Sequence, residues 1–466
     1  MTRWEKGANR GLRGARALAV VVTVAVLAAA CGGSRSPSSA VSRAAAPAGS
    51  RGLADCLTAA RCYGPRPFRV AYGIQPLLDN GIDGRGQTVV LVEFAATAPA
   101  SPPRTTEIRQ DLADFDSRFK LPPVRIQVIM TLAGSSASPW LAGIEEVVDT
   151  EMVHAVAPDA AIRELLVAPA DVSTPAREAV TFATQVRIAA SDADVISLSG
   201  SYGEHSATPP EVRTINSALQ YSAARHVTFV ASSGDGGAIS DLGKYGSSAP
   251  VKEVSLPASD PLVLAVGGTS LTANPVTGAY VSETALNTLP RVIDGYSQGS
   301  GGGFSHLFAR PAYQGDVPGI GASRGVPDVA GDGSSSTGMA FVFAAPGGAY
   351  ALLSEGGTSA AAPFWAGLIA LADQEAGHPL GFVNPAIYQI ARGPLYDQAF
   401  HDITTGSNTV VVNGNTITGY QAGPGWDPVT GWGTPDAQVL VPLLAHRRAV
   451  QPGGAVAGSE TNIRGG

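Results

Sequence analysis

The chain has 466 residues, of which 44% are hydrophobic and 15% charged, with 56 glycines and a formal net charge of −7. That apolar content excludes disorder throughout and is enough for one large domain or two medium ones. The acidic balance excludes the basic footprint of a nucleic-acid-binding protein, and the glycine content points to a loop-rich α/β chain.

Arg3, Lys6, Arg10, Arg13 and Arg16 precede an apolar run from Ala17 to Ala30. This pattern predicts an export signal over residues 1–30 rather than a structural helix. Leu27-Ala28-Ala29-Ala30-Cys31-Gly32 resembles a bacterial lipoprotein processing site. It predicts lipidation of Cys31 and an outward-facing, membrane-anchored location. Ala28 stands where such sites usually carry a larger aliphatic residue, so ordinary cleavage after Ala30, with secretion, is the second reading. Residues 31–52 are rich in Ser, Ala, Pro and Gly and read as a flexible tether. Of the three cysteines, Cys56 and Cys62 remain once Cys31 carries lipid, and they lie close enough in sequence to form a structural disulfide.

Residues 53–446 read as one domain, with no linker, repeat or second hydrophobic span, and residues 447–466 as a disordered Gly-rich tail. Apolar runs predict buried strands at Thr88–Phe94, Val124–Met130, Ala161–Val167, Val195–Leu198, Val227–Ala231 and Leu262–Val266. Helical patterns at Ile144–Ala157, Ala176–Ala189 and Val212–Arg225 alternate with them. The alternation predicts a doubly wound, mostly parallel sheet flanked by helices, with active residues in loops beyond the strand C-termini.

Glu145 and Asp149 lie about 40° apart on a helical wheel and would face one point, where paired carboxyls retain a proton and can relay it. A solvated acidic helix face is the other reading of the same residues. Glu146, Glu151 and His154 should face elsewhere. Asp235, in Ser233-Gly234-Asp235-Gly236, follows an apolar strand; protonated, it could donate to an oxyanion, and otherwise it makes an Asx turn. Gly295-Tyr296-Ser297-Gln298-Gly299 has the G-x-S-x-G spacing of a nucleophile elbow. The following Ser300-Gly301-Gly302-Gly303 cannot start the helix that an elbow needs. Gly356-Gly357-Thr358-Ser359 places one small hydroxyl between a tight turn and an apolar helix over Phe364–Ala372, with Pro363 in its first turn. Ser359 is then either a helix cap or a nucleophile whose developing charge is favoured by the helix dipole. None of the seven histidines precedes a Gly-Thr turn suited to presenting a general base.

Glu145-x-x-x-Asp149-x-Glu151, Ser233-Gly234-Asp235 and Gly357-Thr358-Ser359-Ala360-x-x-Pro363, in that order, resemble the sedolisin family of serine-carboxyl peptidases. Further matching stretches are Gly301-Gly302-Gly303-Phe304-Ser305, Gly325-Val326-Pro327-Asp328-Val329-Ala330 and Phe400-His401-Asp402-Ile403-Thr404. The resemblance covers residues from about 64 to 435. It implies a subtilisin-like α/β fold and an acid-active endopeptidase acting on peptide or protein substrates. Ser359 would be the nucleophile, Glu145 its base and acid, Asp149 the orienting carboxyl, Asp235 the oxyanion donor and Glu93 an accessory carboxyl.

The resemblance also implies one structural Ca²⁺, held by Asp402, Asp427 and the carbonyls of Ile403, Gly423 and Gly425; oxygen-only ligation of this kind suits that ion. Two departures stand out. The catalytic domain begins by about Tyr63, leaving no room for the long propeptide usual in the family, which raises the prospect of a propeptide or inhibitor supplied separately. Leu198-Ser199-Gly200-Ser201-Tyr202-Gly203 lacks the Trp that follows the equivalent Ser in related sequences. The alternative function is a catalytically silent surface protein of the same fold that binds peptides or partners.

Overall fold

The computed structural model describes residues 62–94, 108–130, 144–167, 175–240, 251–292, 295–345, 349–354 and 356–447. The expectations for the signal segment, Cys31, the tether, Cys56 and the tail lie outside the described residues. Cys62 is fully buried and disulfide-bonded, and the other two cysteines both fall outside that set.

Eight strands form the central sheet: β1 (Thr88–Phe94), β2 (Arg125–Met130), β3 (Ala161–Val167), β4 (Val195–Leu198), β5 (Thr228–Ser232), β6 (Leu264–Ala273), β7 (Tyr280–Ala285) and β8 (Val329–Asp332). Their order is β8-β6-β5-β4-β1-β3-β2, all parallel, with β7 antiparallel on β6. Val89 pairs with Ile162 on one side and Val195 on the other. From β1 the chain crosses to the edge strand β2, returns through β3 beside β1, and then builds outward from β4 on the other side. The topological switch therefore lies between β1 and β4, where a crevice opens beyond the strand C-termini.

Alternation along the strands divides two cores. Val89 and Leu91 of β1 face helices α1 (Pro65–Ala71), α2 (Ile108–Phe119), α3 (Ile144–Val156) and α6 (Thr358–Ala376). Val90 and Val92 face α4 (Pro175–Ala189) and α5 (Pro209–Ala223). Both faces of the sheet are covered, which is why its strands read as continuous apolar runs. Phe364 and Trp365 of α6 are fully buried, and Phe364 meets Phe68 and Tyr72 of the α1 region at ring-centroid distances of 5.5 and 4.8 Å. Such aromatic pairs add about 0.5–1.5 kcal/mol each beyond their burial.

The long helix differs from its expected bounds. It begins at Thr358 rather than Phe364, so Pro363 lies in the second turn, not the first. A proline there removes the N–H that would bond the Ser359 carbonyl. The Ser199 hydroxyl lies 3.2 Å from that carbonyl and 2.6 Å from Asp149 Oδ2, so its single proton is shared between the two acceptors. Gly367 lets α6 pass close to α3, since a Cβ there would stand 2.7 Å from Cγ1 of Val156. That approach sets the spacing of the two helices that carry Ser359 and the Glu145–Asp149 pair.

Candidate active site

Four elements converge on the crevice. Glu93 lies near the C-terminal end of β1, Ser199 follows β4, Asp235 follows β5, and α3 supplies Glu145 and Asp149. Ser359 enters from behind as the second residue of α6, where the first N–H groups of the helix have no intrahelical acceptor. Glu145 hydrogen-bonds Ser359. The described hydrogen bonds of Ser359 also reach Ser199 and none reaches a histidine.

Glu145, Asp149 and Glu93 form a cluster of buried carboxyls, in which Glu93 is hydrogen-bonded to Asp149 and the Asp149 charge acts on Glu145. Burial holds Glu145 well above the ordinary carboxyl range and the Asp149 charge adds to this, while the Ser359 hydrogen bond opposes it. Asp149 is pushed up to about 7 by burial, against hydrogen bonds from Glu93 and Ser199. Glu93 is likewise raised well above its usual value, first by burial and then by the Asp149 charge. Glu93 Oε1, Glu145 Oε1 and Asp149 Oδ1 are buried without a donor from the protein. Protons retained within the cluster supply what these acceptors lack, because adjacent buried carboxylates cannot all ionise.

Asp235 is held by one edge. Its Oδ1 accepts from the Thr358 N–H at 2.7 Å and the Thr358 hydroxyl at 2.9 Å. Its Oδ2 lies at Gly357, where an added Cβ would stand 2.5 Å away. Gly357 has φ +101°, a conformation that suits glycine, so sequence and geometry keep this edge open. Burial raises the Asp235 carboxyl, against the two Thr358 bonds. A proton on Oδ2 would make it a donor beside Ser359.

Of the residues expected to face elsewhere, Glu151 accepts from the Val342 N–H at 2.8 Å, and His154 pairs with Asp116 at 2.7 Å. Glu146 stays in electrostatic reach of the cluster, its charge raising Glu93, Glu145 and Asp149. Ser297 of the elbow-like motif is buried, accepts from the Val411 N–H at 2.7 Å, and has no helix after it. Sequence reasoning did not assign roles to Ser199 or Thr358. Ser199 follows a predicted strand, the position where site residues collect, but nothing local marks it as a partner of Asp149, 50 residues earlier.

The expected cation ligands also gather. The Gly425 N–H donates to both Asp402 oxygens at 3.1 and 3.0 Å, and the Gly423 N–H to Asp427 Oδ2 at 3.2 Å. Neither carboxylate forms a salt bridge with a Lys or Arg among the described residues, and burial pushes Asp427 up to about 6. The Ile403, Gly423 and Gly425 carbonyls accept no backbone hydrogen bond from the described residues. Asp427 also accepts from the Val429 and Thr430 N–H groups and the Thr430 hydroxyl, so both carboxylates are held in place by hydrogen bonds, and with these carbonyls they are the hard oxygen donors that suit Ca²⁺.

The Subtilase family model, Peptidase_S8, matches residues 133–389. Kumamolisin from Bacillus sp. (strain MN-32) is 34% identical over 395 residues, covering 83% of this chain and 65% of kumamolisin. Sedolisin from Pseudomonas sp. (strain 101) is 32% identical over 336 residues, or 71% of this chain and 54% of that protein. The chain thus spans less than two thirds of the length of these relatives. The solved structure of Pseudomonas sedolisin complexed with two molecules of pseudo-iodotyrostatin aligns with a TM-score of 0.67 at 28% identity, covering 82% of this chain and 97% of that one. With its doubly wound sheet and a matching family model over more than half its length, the chain belongs to the subtilase family and, within it, to the sedolisin family of serine-carboxyl peptidases.

Proposed function

We propose that this protein is an exported serine-carboxyl endopeptidase that works in acid. The observation that carries the reading is the buried carboxyl cluster of Glu145, Asp149 and Glu93 beside Ser359, with Asp235 held by the neighbouring Thr358. Glu145 takes the Ser359 Oγ proton as the oxygen attacks the peptide carbonyl, and protonated Asp235 donates to the oxyanion. Glu145 returns the proton to the amine leaving group, and water hydrolyses the acyl-enzyme by the same sequence. Asp149 orients Glu145 and, with Glu93, holds the proton that keeps the cluster from becoming fully charged.

Ca²⁺ would be held by Asp402, Asp427 and the three carbonyls, stabilising the loops that carry them. Residues 1–30 would direct export and Cys31 would carry the lipid anchor. The disulfide at Cys62 is in keeping with an oxidising compartment. Failure of Cys31→Ser to release the protein from the membrane fraction would remove the anchor. The activity is tested with a mixed peptide library from about pH 3 to 8, comparing the chain with Ser359→Ala. Cleavage peaking in acid and absent from the variant is expected; equal cleavage by both removes the proposal.

A further inference from the structure

Three segments meet beside the crevice. The chain leaving Ser199 runs through Tyr202–Gly203, which pairs antiparallel with Ser255–Leu256, into the turn Glu204–Ser206. The strand Gly303–Ala309 follows Gly299 and Gly301, whose N–H groups donate to the Asp235 and Gly234 carbonyls at 2.9 and 2.7 Å. One segment thus carries Ser199, the hydroxyl partner of Asp149, and another backs the loop of Asp235. Between them, His205 of the turn and His306 of the strand stack with ring centroids 4.1 Å apart and planes 31° from parallel.

Each ring is backed by a glutamate from a neighbouring segment. His205 donates its backbone N–H to Glu253 Oε2 at 2.8 Å, and its Nδ1 lies 2.8 Å from the same oxygen. His306 repeats this with Glu204 Oε2, at 2.9 Å for the backbone N–H and 2.9 Å for Nδ1. The two glutamates are buried, whereas the His205 and His306 side chains are 44% and 41% exposed and so reachable by protons from solvent. Lys252, beside Glu253, is directed at the Tyr420 ring instead, 5.0 Å from its centroid. With neutral rings the two Nδ1 contacts are ordinary hydrogen bonds; protonation makes both charge-assisted. The two imidazolium charges repel, but each lies nearer to its own glutamate oxygen than to the other ring. The Glu204 hydrogen bond holds His306 above the ordinary imidazole value against partial burial, and the Glu204 and Glu253 charges add to this. Against its own burial, hydrogen bonds from His306, Ser259 and Ser305 hold Glu204 below the usual carboxyl range, so it stays ionised in acid.

We propose that His205 and His306, with Glu253 and Glu204, form an acid-strengthened latch between the wall of the crevice that carries Ser199 and the one that backs Asp235. The proposal rests on the acid-active reading of Ser359, since the latch tightens the crevice in the same acid range. The His306–Glu204 bond ties the strand to the turn, and the His205–Glu253 bond ties the turn to the segment before Ser255. His306 titrates above its unfolded value near 6.5, so its stabilising contribution is complete below that value and is lost as pH rises through the folded one. Once both rings are neutral, the turn and the strand open locally with less cost.

The test is amide hydrogen exchange at about pH 5 and about pH 7.5, corrected for intrinsic rates, on the whole chain carrying Ser359→Ala as the parent. Residues 202–206 and Gly303–Ala309 should be about 10-fold better protected in acid. In the parent with His205→Asn/His306→Asn added, the amides can still donate to the glutamates but carry no charge, and protection there should be equal at the two pH values. Any acid-dependent protection that the carboxyl cluster gives α3 should persist in that variant, which separates the latch from the cluster. Equal protection at both pH values in the parent would overturn the proposal, as would a difference that survives in the histidine variant. Neither readout depends on turnover, so failure of the unsubstituted chain to cleave peptides would remove the peptidase reading and leave the exchange result standing.

Discussion

The Ser199 hydroxyl lies 2.6 Å from Asp149 Oδ2 and 3.2 Å from the Ser359 carbonyl, so one proton stands between the Asp149 carboxyl and the Ser359 backbone. When Asp149 is ionised that proton belongs to Asp149; when Asp149 is protonated, the hydroxyl can turn to the carbonyl that Pro363 leaves open. Ser199→Ala removes a hydrogen bond to the charged form of Asp149, which raises its pKa further. A bond to a charged group contributes about 1.5–3 kcal/mol, so kcat should fall roughly 10- to 100-fold. The alkaline limb of the kcat profile should move about one unit upward, because the cluster keeps its proton to higher pH. A fall in kcat with an unmoved profile would show that Ser199 only packs.

The carboxyl cluster should make the protein more stable in acid than at neutrality. An unfolded carboxyl titrates near 4, whereas Asp149 in the fold titrates at about 7. Between those values the folded state keeps a proton that the unfolded state has released, so stability falls as pH rises through the window. Below about pH 4 this contribution is complete. Tm measured at pH 4 and pH 7 should be higher at pH 4, and Asp149→Asn should narrow the gap. A gap unchanged in the variant would place the proton uptake on other buried carboxyls.

The sheet was largely legible because burial on both faces writes strands as apolar runs: β1, β3 and β4 have the expected bounds. β8 was not, since Val-Ala-Gly-Asp is short and ends in turn residues, and its strand character comes from pairing with β6. α2 was also missed, its Ile, Leu and Phe being diluted by exposed charge. In the site, Glu145 and Asp149 were legible from helical spacing, while Glu93 needed the family resemblance. The Thr358 bonds to Asp235 span 123 residues, so no local pattern could announce them.

Gly357→Ala should damage catalysis more than folding. The added methyl would stand 2.5 Å from Asp235 Oδ2, displacing the one edge available to an oxyanion. Loss of an oxyanion donor costs about 10²–10³ in kcat. The positive φ adds a stability cost of order 1–3 kcal/mol. Single-turnover kinetics beside a denaturant titration separate the two; unchanged kcat with lowered stability would exclude Asp235 from the oxyanion site.

Calcium removal should destabilise the chain through the Gly423–Asp427 loop. A ligand at 100 times its Kd stabilises the folded state by about 2.7 kcal/mol, so chelation should lower Tm and added Ca²⁺ restore it. Asp402→Ala should lower Tm to the chelated value and abolish the response to Ca²⁺. A response that survives in Asp402→Ala would place the ion elsewhere.

Asp235→Asn separates the proton on this residue from its position. In Asp235 the donor exists only while the carboxyl is protonated, a state that burial extends to higher pH without making it permanent. An asparagine can accept from Thr358 through its carbonyl oxygen and present its amide N–H₂ where Oδ2 now lies, donating at every pH. Asp235→Ala should lose about 10²–10³ in kcat at all pH values, whereas Asp235→Asn should retain activity in acid and extend it toward neutrality. The alkaline limit of Asp235→Asn then reports the Glu93–Asp149–Glu145 cluster alone. If kcat/KM for Asp235→Asn declines with pH as in the parent, Asp235 does not set the limit and the cluster does. If Asp235→Asn is as impaired in acid as Asp235→Ala, the oxyanion is held by another donor, with the Ser359 backbone N–H the first to test.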